Sequence, residues 1–192
     1  MSYEIQTAAT AQSVTMEEVR AQLRIDPDMS EEDPLLSHLI KAAEEYVLDL
    51  TNRVGLVRTF NLNLHGFPNG PIRVYRTPLI AVSQITYTDT DGASQTWAAS
   101  GYQVDTSAVP GMILPAYNQV YPVARSVLNT IQVRFTAGYA TAITIPKSYI
   151  QLILALVGHW YENREPVLIG TIQQPLPFYL HAMINQYRYR EL

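Results

Sequence analysis

The stretch Val57-Arg58-Thr59-Phe60-Asn61-Leu62-Asn63-Leu64 carries the alternation of a strand. A period of two sends Phe60, Leu62 and Leu64 to one face and the asparagines to the other, so this segment reads as half-buried β structure. The residues before it follow another rule. Leu35, Leu36, Leu39, Ile40, Ala43, Val47 and Leu50 recur at helical spacing up to about Arg53. Asp33-Pro34 supplies a carboxylate cap with proline in the first turn, and Gly55 is placed to stop the helix. The chain therefore changes from helix to sheet close to residue 56.

Working outward, Thr15-Met16-Glu17-Glu18 is a capping box opening a short helix to about Arg24, with Val14, Val19 and Leu23 turned inward. Ile25-Asp26-Pro27-Asp28 breaks it. The first dozen residues are small and polar, without a period, and predict a mobile arm that is neither signal peptide nor membrane span.

Beyond the opening strand, residues 72–75, 82–88, 96–97, 102–104, 112–114 and 130–135 continue as short strands. Asp91-Gly92 supplies a hairpin turn. Pro115–Asn129 reads as a long loop. Helix returns at Pro146, where Ile150, Ile153, Leu154, Val157 and Tyr161 share a face while Leu152, Ala155 and Leu156 fill the others. A helix apolar nearly all round is buried nearly all round, which predicts that part of it meets another subunit, with Gly158 allowing close approach. Pro166 ends it, Val167–Pro175 is a linker, and a last helix spans about Pro177 to Tyr189. The expectation is an α+β fold: a mainly helical core of about four helices (14–55 and 138–192), an inserted antiparallel β lobe (56–137) and a flexible arm (1–13).

Composition narrows the function. A chain of 192 residues buries a core without staples, removing roughly 70% of its unfolded surface from water. Thirteen Lys and Arg against seventeen Asp and Glu leave a net charge of −4, which is no footprint for gripping phosphates. The absence of Cys excludes disulfides, thiolate metal sites and a cysteine nucleophile. Charged residues make up only 16%, and Tyr occurs 13 times against 4 Phe, a balance suited to surfaces that become covered. The same count fits a tyrosine-rich sheet inside a monomer.

Chemistry is sparse. His159 and Glu162, three apart on one helix, could share a metal in a small hydrolase, but no second carboxylate–histidine pair completes such a site. Asp89-Thr90-Asp91-Gly92 lacks the later ligands of a calcium loop. Neither G-x-S-x-G nor a phosphate-binding glycine motif occurs. Glu31, Glu32, Asp33, Glu44, Glu45 and Asp49 read as a solvated acidic face, or as the wall of a channel that repels DNA. A receptor- or glycan-binding β lobe would rely on Trp97 and Tyr117.

The segment His159-Trp160-Tyr161-Glu162-Asn163-Arg164-Glu165-Pro166, continuing to Gly170-Thr171, has a recognisable pattern. So do Val14-Thr15-Met16-Glu17-Glu18-Val19, Leu23-Arg24-Ile25-Asp26, Thr51-Asn52-Arg53, Phe135-Thr136-Ala137-Gly138-Tyr139 and Ile145-Pro146. In this order and spacing, from about Val14 to Arg190, the chain resembles the head–tail connector (adaptor, or head-completion) family of tailed phages.

The resemblance implies a ring of about twelve copies in the capsid–tail neck of a virion. Such a ring docks beneath the portal protein, extends the DNA channel without sequence-specific binding, and receives the stopper or tail. It implies no catalysis and no cofactor. Under it, Trp160, Tyr161, Glu162, Arg164 and Glu165 are candidates for the subunit boundary. Tyr179, Tyr187, Arg188, Tyr189 and Arg190, near the C-terminus, form an aromatic and cationic anchor for the portal.

Overall fold

The computed structural model describes residues 1–163 and 177–188. The chain divides into two compact units, one of Met1–Ala9 with Val57–Tyr139, the other of Thr10–Leu56 with the chain from Ala140 onward. The described residues hold four α-helices and eight strands in two antiparallel sheets, so the α+β class is observed directly.

In the first unit, β1 (Ser2–Thr7), β2 (Arg58–Leu64), β8 (Ile131–Ala137), β4 (Leu79–Thr88) and β5 (Ser94–Trp97) form a five-stranded sheet in the order β1-β2-β8-β4-β5. A three-stranded sheet runs β3 (Ile72–Val74), β7 (Gly111–Pro115), β6 (Tyr102–Asp105). Phe60 faces Phe135 and Leu62 faces Val133 across the β2–β8 pair, and all four are buried. Phe60 and Phe135 stack with ring centroids 5.5 Å apart.

Two expectations for this unit need correction. Residues 2–7 are no free arm: Tyr3 lies opposite Leu62 and Ile5 opposite Phe60, so the start of the chain is an edge strand. Its small polar composition hid the strand because an edge strand shows most of its side chains to water. Nor is β2 wet on its polar face. Asn61 and Asn63 are buried, bonded by Arg134 Nε at 3.3 Å and Gln132 Nε2 at 3.3 Å, and Asn63 Nδ2 donates to Glu4 Oε1 at 3.0 Å. Long polar side chains on the flanking strands cover them.

In the second unit, α1 (Met16–Leu23) starts on the complete Thr15–Glu18 capping box. α2 (Asp33–Thr51) packs Leu36, Ile40, Ala43, Val47 and Leu48 inward. Its start differs from the expected carboxylate cap. Asp33 instead receives both oxygens' bonds from Arg20 at 2.6 Å, a partly exposed ion pair of modest worth. Its end is set by Asn52 in the left-handed conformation, not by Gly55. Gly55 answers another need, since a Cβ there would sit 2.6 Å from Ser13 Oγ.

α3 (Lys147–Glu162) buries Tyr149, Ile150, Leu152, Ile153, Leu154, Leu156 and Val157. The neighbours α1, α2 and α4 (Phe178–Tyr187) all contact it. The expected apolar overflow toward another subunit is therefore absorbed within the chain, with Leu152 and Leu156 at 0% exposure. Among the described residues Gly158 mediates no close approach: a Cβ there would meet Leu23 at an ordinary 3.8 Å.

Candidate assembly interfaces

Three of the residues proposed for the subunit boundary, Trp160, Tyr161 and Glu162, form the C-terminal end of α3. Trp160 is half-buried and meets the Tyr46 ring edge-on, centroids 5.6 Å apart. The Tyr161 hydroxyl donates to the Glu32 carboxylate, which draws Glu32 out of the supposed solvated face. Both aromatics thus tie α3 to α2 and the turn before it. Glu162 is exposed. Arg164 and Glu165 lie outside the described residues, as do the expected stop at Pro166 and linker 167–175.

Glu44 also leaves the acidic face. It is buried, and its carboxylate accepts the Ser13 backbone N–H. Glu31, Glu45 and Asp49 remain exposed. On α3, His159 Nδ1 lies 3.4 Å from the Asn163 amide, which also donates to the His159 carbonyl at 2.8 Å. Among the described residues no three His, Cys, Asp or Glu side chains come together to hold a metal, so His159 and Glu162 find no third ligand there.

In the last helix, Leu180 and Ile184 face inward while Phe178 and Tyr179 are exposed by 89% and 53%. Tyr187 turns toward its own unit. Its ring meets Tyr149 edge-on at 6.2 Å, its hydroxyl bonds Ser148 Oγ, and its carbonyl accepts Arg53 Nε at 3.4 Å. Arg188 is exposed; Tyr189 and Arg190 lie outside the described residues. Of the anchor candidates described, Tyr179 and Arg188 are available at the surface and Tyr187 is engaged.

A family model for the phage gp6-like head-tail connector protein matches residues 13–110, just over half of the chain. The chain belongs to this family. No curated protein matches it. Among solved structures, the neck of an empty gene transfer agent particle computed with C6 symmetry superposes at TM-score 0.80 and 22% identity, covering 100% of this chain and 97% of the other. A chain in the virion of a native gene transfer agent particle gives 0.81 and 21%, with the same coverages. The neck of the native particle computed with C12 symmetry gives 0.75 and 20%, again covering 100% and 97%. At these identities the likeness is one of fold.

The connector's aromatic wealth is largely spent inside its β unit. Phe67 stacks on Tyr121 at 4.9 Å and meets Tyr87 and Trp97 edge-on, and Trp97 packs on Tyr102 at 5.1 Å. Burial pushes the Tyr102 and Tyr121 hydroxyls above the usual tyrosine range. Trp97, at 8% exposure, is a core residue and offers no face to a glycan, whereas Tyr117 is 91% exposed.

An open pocket of about 310 Å³ lies beside Gln103, Val104, Asp105, Met112 and Leu114. Asp105 Oδ1 there already accepts the Ser107 hydroxyl and the Ser107 and Ala108 N–H groups. No nucleophile–base pair is assembled around it. Sequence reading missed Phe178 and the apolar side chains of the loop before β8. Their exposure depends on the tertiary placement of segments that carry no period.

Proposed function

We propose that this chain is a structural virion protein that closes into a ring of twelve copies in the capsid–tail neck. The ring sits beneath the portal protein, extends the DNA channel and presents a platform to the stopper or tail. Family membership over residues 13–110 carries the reading. Folds of this kind occur in particle necks computed with C6 and C12 symmetry, which fits a ring of identical copies.

The charge balance suits a conduit. A net charge of −4 gives DNA little to grip, so it passes without sequence-specific binding. The exposed Tyr179 of α4 and Arg188 just after it remain the surface candidates for the portal, with Arg164 and Glu165 for the subunit boundary. The role needs positioning and contact surfaces, with no catalysed step and no cofactor.

Removing the gene from producing cells tests this reading. The expected product is DNA-filled heads without tails, restored by the intact chain. Normally tailed particles from the deletion strain would overturn it.

A further inference from the structure

Residues 116–130 join β7 to β8 without regular structure. Surface loops are ordinarily polar, because water must satisfy their backbone and side chains. This one exposes Tyr117 by 91%, Val120 by 81%, Val123 by 75% and Leu128 by 78%. From Pro115 to Thr130 the sequence contains one charged residue, Arg125.

The loop is nonetheless held in place. Tyr121 stacks on Phe67, and its hydroxyl donates to the Gly70 carbonyl at 2.8 Å. The N–H groups of Ala116 and Arg125 donate to the carbonyls of Gly101 and Thr88, each at 2.9 Å. Asn129 N–H donates to His65 Nδ1 at 3.0 Å. Pinning the backbone while turning Val and Leu outward cuts the ordering cost of a later contact. A low-charge apolar patch with a tyrosine is also the composition of an interface core.

We propose that this loop is the surface through which one copy of the chain docks on a different face of the next. The proposal rests on the ring reading above and deepens it. Identical copies share a net charge of −4 and repel, so they meet most readily through a nearly neutral surface such as this. A ring needs unlike faces in contact, and an exposed apolar loop is one half of such a pair. Nucleic acid would ask for clustered cations, which the loop lacks.

Because the chain has no Cys, Val120→Cys provides a single attachment point for a benzophenone photocrosslinker. Particles are assembled in producing cells from a mixture of isotopically light and heavy full-length chains, irradiated, and analysed by mass spectrometry, with copy number per particle counted in parallel. Mixed light–heavy crosslinks from position 120 are the expected result. Several copies per particle with crosslinks only to another neck protein, only to lipid, or absent would overturn the docking proposal and leave the ring standing. A single copy, or none, would overturn the ring reading and this proposal with it. As a second readout, Val120→Asp with Leu128→Asp is expected to reduce incorporation at least tenfold while the purified chain keeps its melting temperature. Unchanged incorporation would also overturn the proposal.

Discussion

The buried carboxylate of Glu44, midway along α2, accepts the backbone N–H of Ser13, two residues before the cap of α1. This bond fixes the entry of the chain into its helical unit. Glu44→Ala leaves the N–H without its acceptor where water does not reach, at a cost of about 1–3 kcal/mol. Glu44→Gln retains an acceptor oxygen and loses less. Urea unfolding followed by circular dichroism checks the order, and equal losses would count against the assigned bond.

A Cβ on Gly111 would sit 2.5 Å from Leu79 Cδ2 and 2.9 Å from Leu79 Cβ, bringing β7 into collision with β4. Gly111→Ala is therefore expected to destabilise by about 1–3 kcal/mol. Adding Leu79→Ala removes the obstacle and should recover part of the loss relative to the sum of the single changes. Simple additivity in the double-mutant cycle would contradict the collision.

The β4–β5 turn gives a pH prediction. Asp89 is held below its ordinary value of 3.8, first by the Gln95 side chain and then by the Ala93 N–H, with smaller help from Asp91 and Gly92. A depressed carboxyl favours the folded state fully above 3.8, and that contribution fades as pH falls through the lower folded value. Asp89→Ala should thus lower the melting temperature at pH 7, and the gap to the parent should shrink below pH 3.8. A gap independent of pH would show that the carboxylate's charge is not what holds the turn.

Leu152 is fully buried and its neighbour Gln151 exposed on α3. Leu152→Ala should cost about 2–5 kcal/mol in the isolated chain, since the cavity opens inside one copy. Gln151→Ala should change stability by less than about 0.5 kcal/mol. If Leu152→Ala leaves the isolated chain unaffected and harms assembly alone, α3 is an intersubunit helix after all.

Much of this architecture was legible where local chemistry and period agree. The Thr15–Glu18 box set the start of α1, the alternation of 57–64 set β2, and Pro146 opened α3, because each acts through neighbours in sequence. The misses share a cause. β1 lacks a two-faced pattern, since its partner strand lies more than fifty residues away and its own side chains mostly face water. Glu44 looked solvated because nothing local announces the Ser13 N–H. Trp97 and Tyr117 are both aromatic residues of the β unit, yet one is core and the other 91% exposed, a distinction made by Phe67, Tyr102 and Tyr121 around Trp97. At the candidate interfaces, the helical period put Tyr161 on the apolar face of α3, but nothing in the sequence showed that Glu32 would receive its hydroxyl or that Tyr46 would meet Trp160.

Electron cryomicroscopy of intact particles from producing cells tests the connector assignment most directly. The account predicts a closed twelve-fold ring of this chain between the portal vertex and the tail, with the DNA path through its centre. A neck that lacks the chain, or holds it as separate single copies, would contradict it.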